Sequence, residues 1–385
     1  MKVLNITTYN EECGVAKFQA NIQKAFENIN EVDSVIFPRS LNYIKKLNAE
    51  ERLTVINEIV VQANKYDVVH IQHEFGLFFN LGEGFGEIIT ALKANNIRVV
   101  VTIHTAPSHV LTSNPSASLY RPRSVVGHTV RALKNRSQRK KLLDPLKMAD
   151  AVVTLNRNTK SELVDIVGVS ADAILSTIHP VKNEEHSRRD TAPRAFTDKK
   201  AVILAVNGFV NPYKGFDKAI KSLMFLPENY KLLIAGGVNP DSGNSKYMDE
   251  ICDLINELGL TDRVHITGYV KEDKELERII GSCDIVLYPY DVDYYKLASS
   301  GAVGVAINCE LPVVTFPADS FKEIDEYMPG VLEVTNSTAY YELAQRAMSV
   351  TDKPRAHNNI KEFKEKNSYG VFAHELLDLY QKISQ

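Results

Sequence analysis

The residues best suited to chemistry stand in five short motifs, each at the end of an apolar run: Glu12 to Lys17 (ECGVAK), His73 to Gly76 (HEFG), His104 to Thr105, Gly208 to Gly215 (GFVNPYKG) and Ser299 to Gly301 (SSG). In the Pro-Tyr-Lys-Gly turn, Lys214 offers a point charge able to neutralise a phosphate, the plain alternative being a solvated turn lysine. Ser299, Ser300 and Gly301 open a helix, whose backbone N–H groups and dipole suit an anion; the same residues also read as an ordinary serine cap. Gly14 and Val15 open another helix, where a glycine lets a ligand come close to the backbone. His104 ends a buried run and can hydrogen-bond and orient a hydroxyl. His73 and Glu74 end the neighbouring run and are similarly aimed, Glu74 as a catalytic carboxylate and His73 as a contact for the acceptor or a polyanion, although a single imidazole is often no more than a satisfied core residue. No His, Cys, Asp or Glu cluster has metal-ligand spacing, so no metal and no cofactor are expected. The four cysteines, Cys13, Cys252, Cys283 and Cys309, are far apart and read as reduced thiols.

A second kind of signal is charge. Between Arg121 and Lys147 nine basic residues, among them Arg131, Lys134, Arg139 and Lys141, face one acid, Asp144. On a helix, Arg131, Lys134, Gln138 and Lys141 recur at three- and four-residue spacing while Val126, Val130 and Leu133 can face a core. Such a run is a solvated face or a site for an anionic partner, either a phospholipid surface with a lipid-linked acceptor or a nucleic acid backbone. The whole chain carries 45 Lys and Arg against 48 Asp and Glu, a net charge of −3, so any polyanion site is local.

Positioning these groups requires a scaffold, and the apolar pattern describes one. The chain has 385 residues, 44% of them hydrophobic and 24% charged, which excludes collagenous, coiled-coil and wholly disordered classes and favours two domains. Runs rich in Val and Ile (MKVLNITT, DSVIFP, DVVHIQ, RVVVTIH, DAVVTL, AILSTI, then AVILAV, YKLLIAG, RVHITG, DIVLYP, LPVVTF) alternate with stretches of helical period. This is the α/β pattern of parallel sheets covered on both faces, here two doubly wound, Rossmann-like domains. The expected division is a first domain over 1–185, a linker over 186–198, a second domain over 199–365 and a terminal helix over 366–385, with Phe372, Leu376, Leu377 and Tyr380 on one face. No run reaches the ~18 apolar residues of a membrane span, so the expected location is the cytoplasm, with peripheral attachment at the inner face of a membrane compatible with the basic segment. In open parallel sheets ligands gather at the carboxyl ends of strands, where all five motifs stand.

The order of motifs resembles the family 4 glycosyltransferases of the GT-B fold. The carriers are CGVAKF after the first strand, DVVHIQHEFGLF, VVVTIHT, ADAVVTLNRNTKSEL, IHPV, YKGFDKAI, the GYV after RVHIT, and SSGAVGVAINCELPVV. The resemblance implies two domains facing across a cleft, the first holding the acceptor and the second a nucleotide-sugar, a UDP- or GDP-sugar, with the last helix crossing back to the first domain. It implies that Lys214 and the amides at the start of the 301 helix stabilise the leaving diphosphate, that His104 faces the donor sugar, and that Tyr269 and Val270 bracket the nucleotide base. It also implies a retaining transfer in which the departing phosphate oxygen takes the acceptor's proton.

Two departures stand out. The glutamates the family usually carries eight positions apart are Leu297 and Val305 here, and Phe209 stands where an arginine often precedes the donor lysine. A branch of the family with SSG or TSG in place of the first glutamate accommodates the first departure. The acceptor expected from family frequency is a surface or lipid-linked glycan. CGVAKF also resembles the corresponding loop of phage DNA glucosyltransferases, which act on hydroxymethylated cytosine; such an enzyme would work in the host cytoplasm. A GT-B protein that binds without transferring sugar is the third reading.

Overall fold

Eleven apolar runs and the short pair Glu333–Val334 form two six-stranded sheets in which each strand runs parallel to its neighbours. The computed structural model describes residues 1–107, 140–184, 196–238, 245–293, 300–351 and 357–385. The first unit takes Met1–His179 and Tyr369–Gln385, the second Pro180–Lys296 and Ser300–Ser368.

In the first unit β1 (Lys2–Ile6), β2 (Asp33–Ile36), β3 (Val68–His73), β4 (Val99–Ile103), β5 (Ala151–Thr154) and β6 (Ile174–Ser176) lie in the order β2-β1-β3-β4-β5-β6. The Val- and Ile-rich composition suits strands buried on both faces, and residue parity assigns each side chain to a face. Leu4, Ile6, Val69, Ile71, Val99 and Val101 join a core with Ile56 and Ile59 of α2 (Ala49–Ala63) and Phe85, Ile88 and Leu92 of α3 (Glu83–Ala94). Val3, Val68, Val100 and Val153 face the opposite way, onto Phe18, Ile22 and Phe26 of α1 (Gly14–Phe26). A further helix, Tyr369–Ser384, completes that layer with Phe372, Leu376, Leu377 and Tyr380. Polar contacts pin it: the Tyr380 hydroxyl is 2.6 Å from His70 Nδ1, whose Nε2 is 2.8 Å from Thr102 Oγ1, and Arg98 Nε donates to Ile383 O at 2.6 Å.

In the second unit β7 (Val202–Asn207), β8 (Tyr230–Ala235), β9 (Val264–Ile266), β10 (Ile285–Tyr288), β11 (Val313–Thr315) and β12 (Glu333–Val334) lie in the order β12-β11-β10-β7-β8-β9. Leu204, Val206, Leu232, Ile234, Ile285 and Leu287 pack beneath the helices over 216–222, 246–257 and 340–351. Pro180–Glu184 group with this unit because Val181 N donates to Asn367 O at 2.9 Å and Lys182 reaches Glu277 at 3.0 Å. Most of the expected linker, through residue 195, lies outside the described residues.

Each sheet has one place where consecutive connections reverse direction. In the first sheet it lies between β1 and β3, in the second between β7 and β10. Loops leaving the carboxyl ends of such a pair diverge to opposite faces and leave a crevice, the usual ligand position in this architecture. The loops concerned carry Gly14 and Glu74 in one unit, and Lys214 and Ser300 in the other.

Candidate functional site

In the first unit the β1 loop ends at Cys13, whose sulfur caps α1 by accepting from Ala16 N at 3.3 Å and lies 3.2 Å from Thr8 Oγ1. Gly14 follows, exposed, and a Cβ built there would meet nothing within 4 Å. Val15 is half-buried beside it. Neither packing nor backbone conformation demands a glycine here.

His104 lies just past β4 with its Nε2 2.9 Å from Gln72 Oε1, and Gln72 in turn donates from Nε2 to Gln19 Oε1 at 3.0 Å. The glutamine oxygen is an acceptor, so Nε2 carries the ring proton and Nδ1 is the acceptor nitrogen. Burial, followed by the neighbouring His179, His73 and His70, lowers the His104 pKa to about 3, so the ring is neutral near pH 7. Phe18 holds it edge-on at 4.8 Å. A neutral imidazole fixed in this way can accept a hydroxyl hydrogen but cannot serve as a cation.

Glu74 directly follows β3 and is clamped from three sides. Thr105 Oγ1 donates to its Oε2 at 2.6 Å, and the N–H groups of Phe75 and Gly76 also bond the carboxylate. Burial outweighs these bonds and raises its pKa. His73, by contrast, corrects the expectation of an acceptor or polyanion contact. Its parity with Val69 and Ile71 turns it into the core, where it is fully buried, stacked on Phe78 at 5.2 Å and edge-on to Phe75 and Phe85. Neither ring nitrogen finds a hydrogen-bond partner among the described residues, and burial lowers its pKa to about 3, opposed only by its own backbone. No polyanion reaches a ring so enclosed.

In the second unit Lys214 sits in a short helical turn, Pro212–Lys214, closed by Gly215 at φ 68°. A side chain at Gly215 would overlap Pro289 O, so that glycine is required by both conformation and space. The turn folds the lysine back over β7 until a Cβ added at Gly208 would lie 2.6 Å from Lys214 Nζ. The ammonium has no hydrogen-bond or ion-pair partner among the described residues, and burial lowers its pKa to about 8. Near pH 7 it is still charged.

Beside it begins the helix α4 (Gly301–Asn308), with Ser300 at its cap position. The Ser300 hydroxyl does not cap; it lies 3.2 Å from the Tyr290 hydroxyl, and no other side-chain cap is seen among the described residues. Ala302 of this turn also lies 4.0 Å from the position of an added Gly208 Cβ, so Lys214, Gly208 and the start of α4 share one locality. The Tyr288 hydroxyl, 2.6 Å from both Asn207 Oδ1 and Ala302 O, anchors the helix to the strand ends. A buried ammonium beside an uncapped helix start can hold a phosphate group.

Tyr269 and Val270, both half-buried, follow β9, and Tyr269 lies parallel to Phe209 with centroids 5.4 Å apart and planes 13° from parallel. This pairing was not visible in the sequence, where Phe209 registered only as an absent arginine. Ser299, Leu297, Arg131, Lys134 and Arg139 lie outside the described residues. Lys141 is 62% exposed and pairs with Glu83 at 3.5 Å. The structure thus places Gly14, Glu74 and His104 after the neighbouring strands β1, β3 and β4 in the first unit, and Lys214 beside the start of α4 in the second. Among the described residues no three His, Cys, Asp or Glu stand close enough to hold a metal ion.

Two doubly wound domains, each with polar or charged groups at its own reversal point, define a GT-B architecture. Residues 187–367 match the profile of the family described as Glycosyl transferases group 1. D-inositol 3-phosphate glycosyltransferase from Xylanimonas cellulosilytica is 27% identical over 175 residues, a stretch spanning 43% of this chain and 40% of that protein. The crystal structure of Anabaena HepE in complex with UDP and glucose superposes with a TM-score of 0.69 at 15% identity, covering 99% of this chain and 100% of that one. Sucrose-phosphate synthase from Thermosynechococcus elongatus also gives 0.69 at 15% identity, covering 100% and 99%. The fold is GT-B, and residues 187–367 are similar in sequence to the group 1 glycosyl transferases.

Proposed function

We propose that the chain is a retaining glycosyltransferase that moves a sugar from a nucleotide-sugar to an acceptor hydroxyl. The observation that carries this reading is Lys214, a buried ammonium without a partner among the described residues, beside the start of α4, where Ser300 does not cap; this suits the diphosphate of a UDP- or GDP-sugar. The UDP and glucose in the HepE complex make UDP-glucose the first donor to test. In the transfer, the bond from the sugar's anomeric carbon to the phosphate oxygen breaks, the acceptor oxygen bonds that carbon on the same face, and the departing phosphate oxygen takes the acceptor's proton. Lys214, with the Ser299, Ser300 and Gly301 amides, stabilises the charge on the leaving group, which is usually the largest contribution in such chemistry. His104 accepts from a sugar hydroxyl through Nδ1, Gly14 and Val15 admit the donor to the α1 backbone, Glu74 accepts from a hydroxyl, and Tyr269 and Val270 hold the base.

The acceptor is a surface or lipid-linked glycan, with the basic segment over 121–147 meeting an anionic partner and bringing the protein to the inner face of a membrane. No described helix is long and apolar enough to cross one. The test is incubation with UDP- and GDP-sugars, with release of free nucleotide as readout, followed by an acceptor panel of lipid-linked glycans, inositol phosphate and hydroxymethylcytosine DNA. Release that disappears in Lys214→Ala supports the assignment, and transfer to the DNA alone would move it to the phage-type reading. Val305, a valine where the family's second glutamate stands, favours a second reading as a protein that binds without transfer. Nucleotide binding with no release from any donor would establish that reading instead.

A further inference from the structure

Phe209 has a partner that its sequence position did not announce. Strands β7 and β9 flank β8, and side chains at their ends would ordinarily be held apart by whatever β8 carries at its own end. β8 is followed there by Gly236 and Gly237. A Cβ at Gly236 would fall 2.0 Å from Gly208 O, and one at Gly237 would fall 2.5 Å from Tyr269 N and 3.0 Å from its Cβ. The two glycines therefore let the loops from β7 and β9 close over the end of β8. Val210 N donates to Gly237 O at 2.9 Å and fixes that closure. The product is the parallel Phe209–Tyr269 pair, uncharged and still half-exposed.

The pair stands at a useful distance from the cation. Lys214 lies against Gly208 on the side of β7 that adjoins β10 and α4, whereas the pair reaches toward β9. One to two strand spacings, about 5 to 10 Å, separate the two localities, comparable with the span of a ribose. Flat aromatic faces bind nucleobases by stacking with little regard to base identity. We infer that Phe209 and Tyr269 together form the platform on which the donor's nucleobase stacks, so that the position where an arginine would have held phosphate holds the base instead. This rests on the nucleotide-sugar reading above and adds to it the residue that fixes the base.

Isothermal titration of the full chain with UDP and with inorganic pyrophosphate separates the two halves of the ligand. Phe209→Ala should weaken UDP about tenfold relative to pyrophosphate, Phe209→Trp should restore UDP, and Phe209→Arg should favour pyrophosphate over UDP, since stacking is typically lost in such amounts on truncation. Circular dichroism melts of each variant show whether it is folded. UDP and pyrophosphate weakening equally in Phe209→Ala, UDP remaining at full strength, or Phe209→Arg strengthening both would each overturn the platform. If the wild-type chain binds no nucleoside diphosphate, UDP, GDP or ADP, the donor reading fails and takes the platform with it. If it binds them and Phe209→Ala makes no difference, the donor reading stands and only the platform falls.

Discussion

Gly14→Ala distinguishes what the fold requires from what a ligand requires. Gly14 is the first residue of α1, its φ is outside the positive range, and an added Cβ meets nothing within 4 Å. Alanine exceeds glycine by about 1 kcal/mol in a helix interior, and at a compatible site the change gains about 0.4–1 kcal/mol through the unfolded chain. At the first helical position a gain of about 0.5 kcal/mol, or roughly 1–2 °C in Tm for a unit of this size, is expected. If a donor's sugar or phosphate lies on that backbone, the new methyl group occupies its place. Turnover of UDP-glucose should then fall about tenfold or more, ~1.4 kcal/mol in kcat/KM. Thermal melting by circular dichroism and nucleotide release, measured on one preparation, give both quantities. A raised Tm with unchanged turnover would refute the placement of the donor at α1, and a lowered Tm would refute the open space around Gly14.

Lys214→Met removes a buried cation that has no partner among the described residues, so Tm near pH 7 should hold or rise while kcat/KM falls by about 2–4 kcal/mol; loss of stability together with activity would mark a packing role. Because Lys214 sits at about 8 in the free protein, UDP affinity should be level below that pH and fall by up to about tenfold per unit above it, and calorimetry showing a level affinity from pH 7 to 10 would remove the lysine from the site. His70 and His73 stay neutral in the fold down to about pH 3 but bind protons near 6.5 when unfolded. Both folded pKa values being depressed, stability is complete above about pH 6.5 and is lost toward pH 3, at about 1.4 kcal/mol per unit for each ring. Urea titrations at pH 7, 5 and 4 should show this, with His73→Leu more stable at pH 7 and its acid slope smaller by one proton; identical slopes would contradict the enclosed ring. Neutralising Arg131, Lys134 and Lys141 together should weaken binding to anionic liposomes and flatten its salt dependence, and a variant that binds as wild type does would make the segment a solvated face.

Much of this architecture was legible because apolar strands in a doubly covered sheet need little beyond continuous Val and Ile. The runs that became β1, β3, β4, β7, β8 and β10 are of that kind, and the paired residues at β12, Glu333–Val334, are not. The local structure of the candidate site was legible where a residue type has a backbone consequence, as in the Lys214 turn closed by Gly215 at φ 68°. It was misread where parity decides. His73 and Glu74 are adjacent and both polar, yet one lies on the face of Val69 and Ile71 and the other at the strand end with Thr105. Counting alternate residues from the middle of β3 would have separated them. The Phe209–Tyr269 pair lay beyond reach because it depends on two loops 60 positions apart meeting above two glycines, a distance that no periodicity encodes.

The helix over 369–384 also has a consequence for biosynthesis. It covers one face of a sheet whose strands all precede residue 177, while the residues between build a separate sheet. At synthesis rates of about 5–20 residues per second, the face bearing Val3, Val68, Val100 and Val153 waits roughly 10–40 s after its last strand is made before Phe372, Leu376 and Tyr380 exist to close it. During that interval α1 alone shields the layer, and His70 lacks the Tyr380 hydroxyl. The domain whose synthesis begins first is thus the one whose core is completed last, and its half-covered sheet is the surface that a chaperone has most reason to hold.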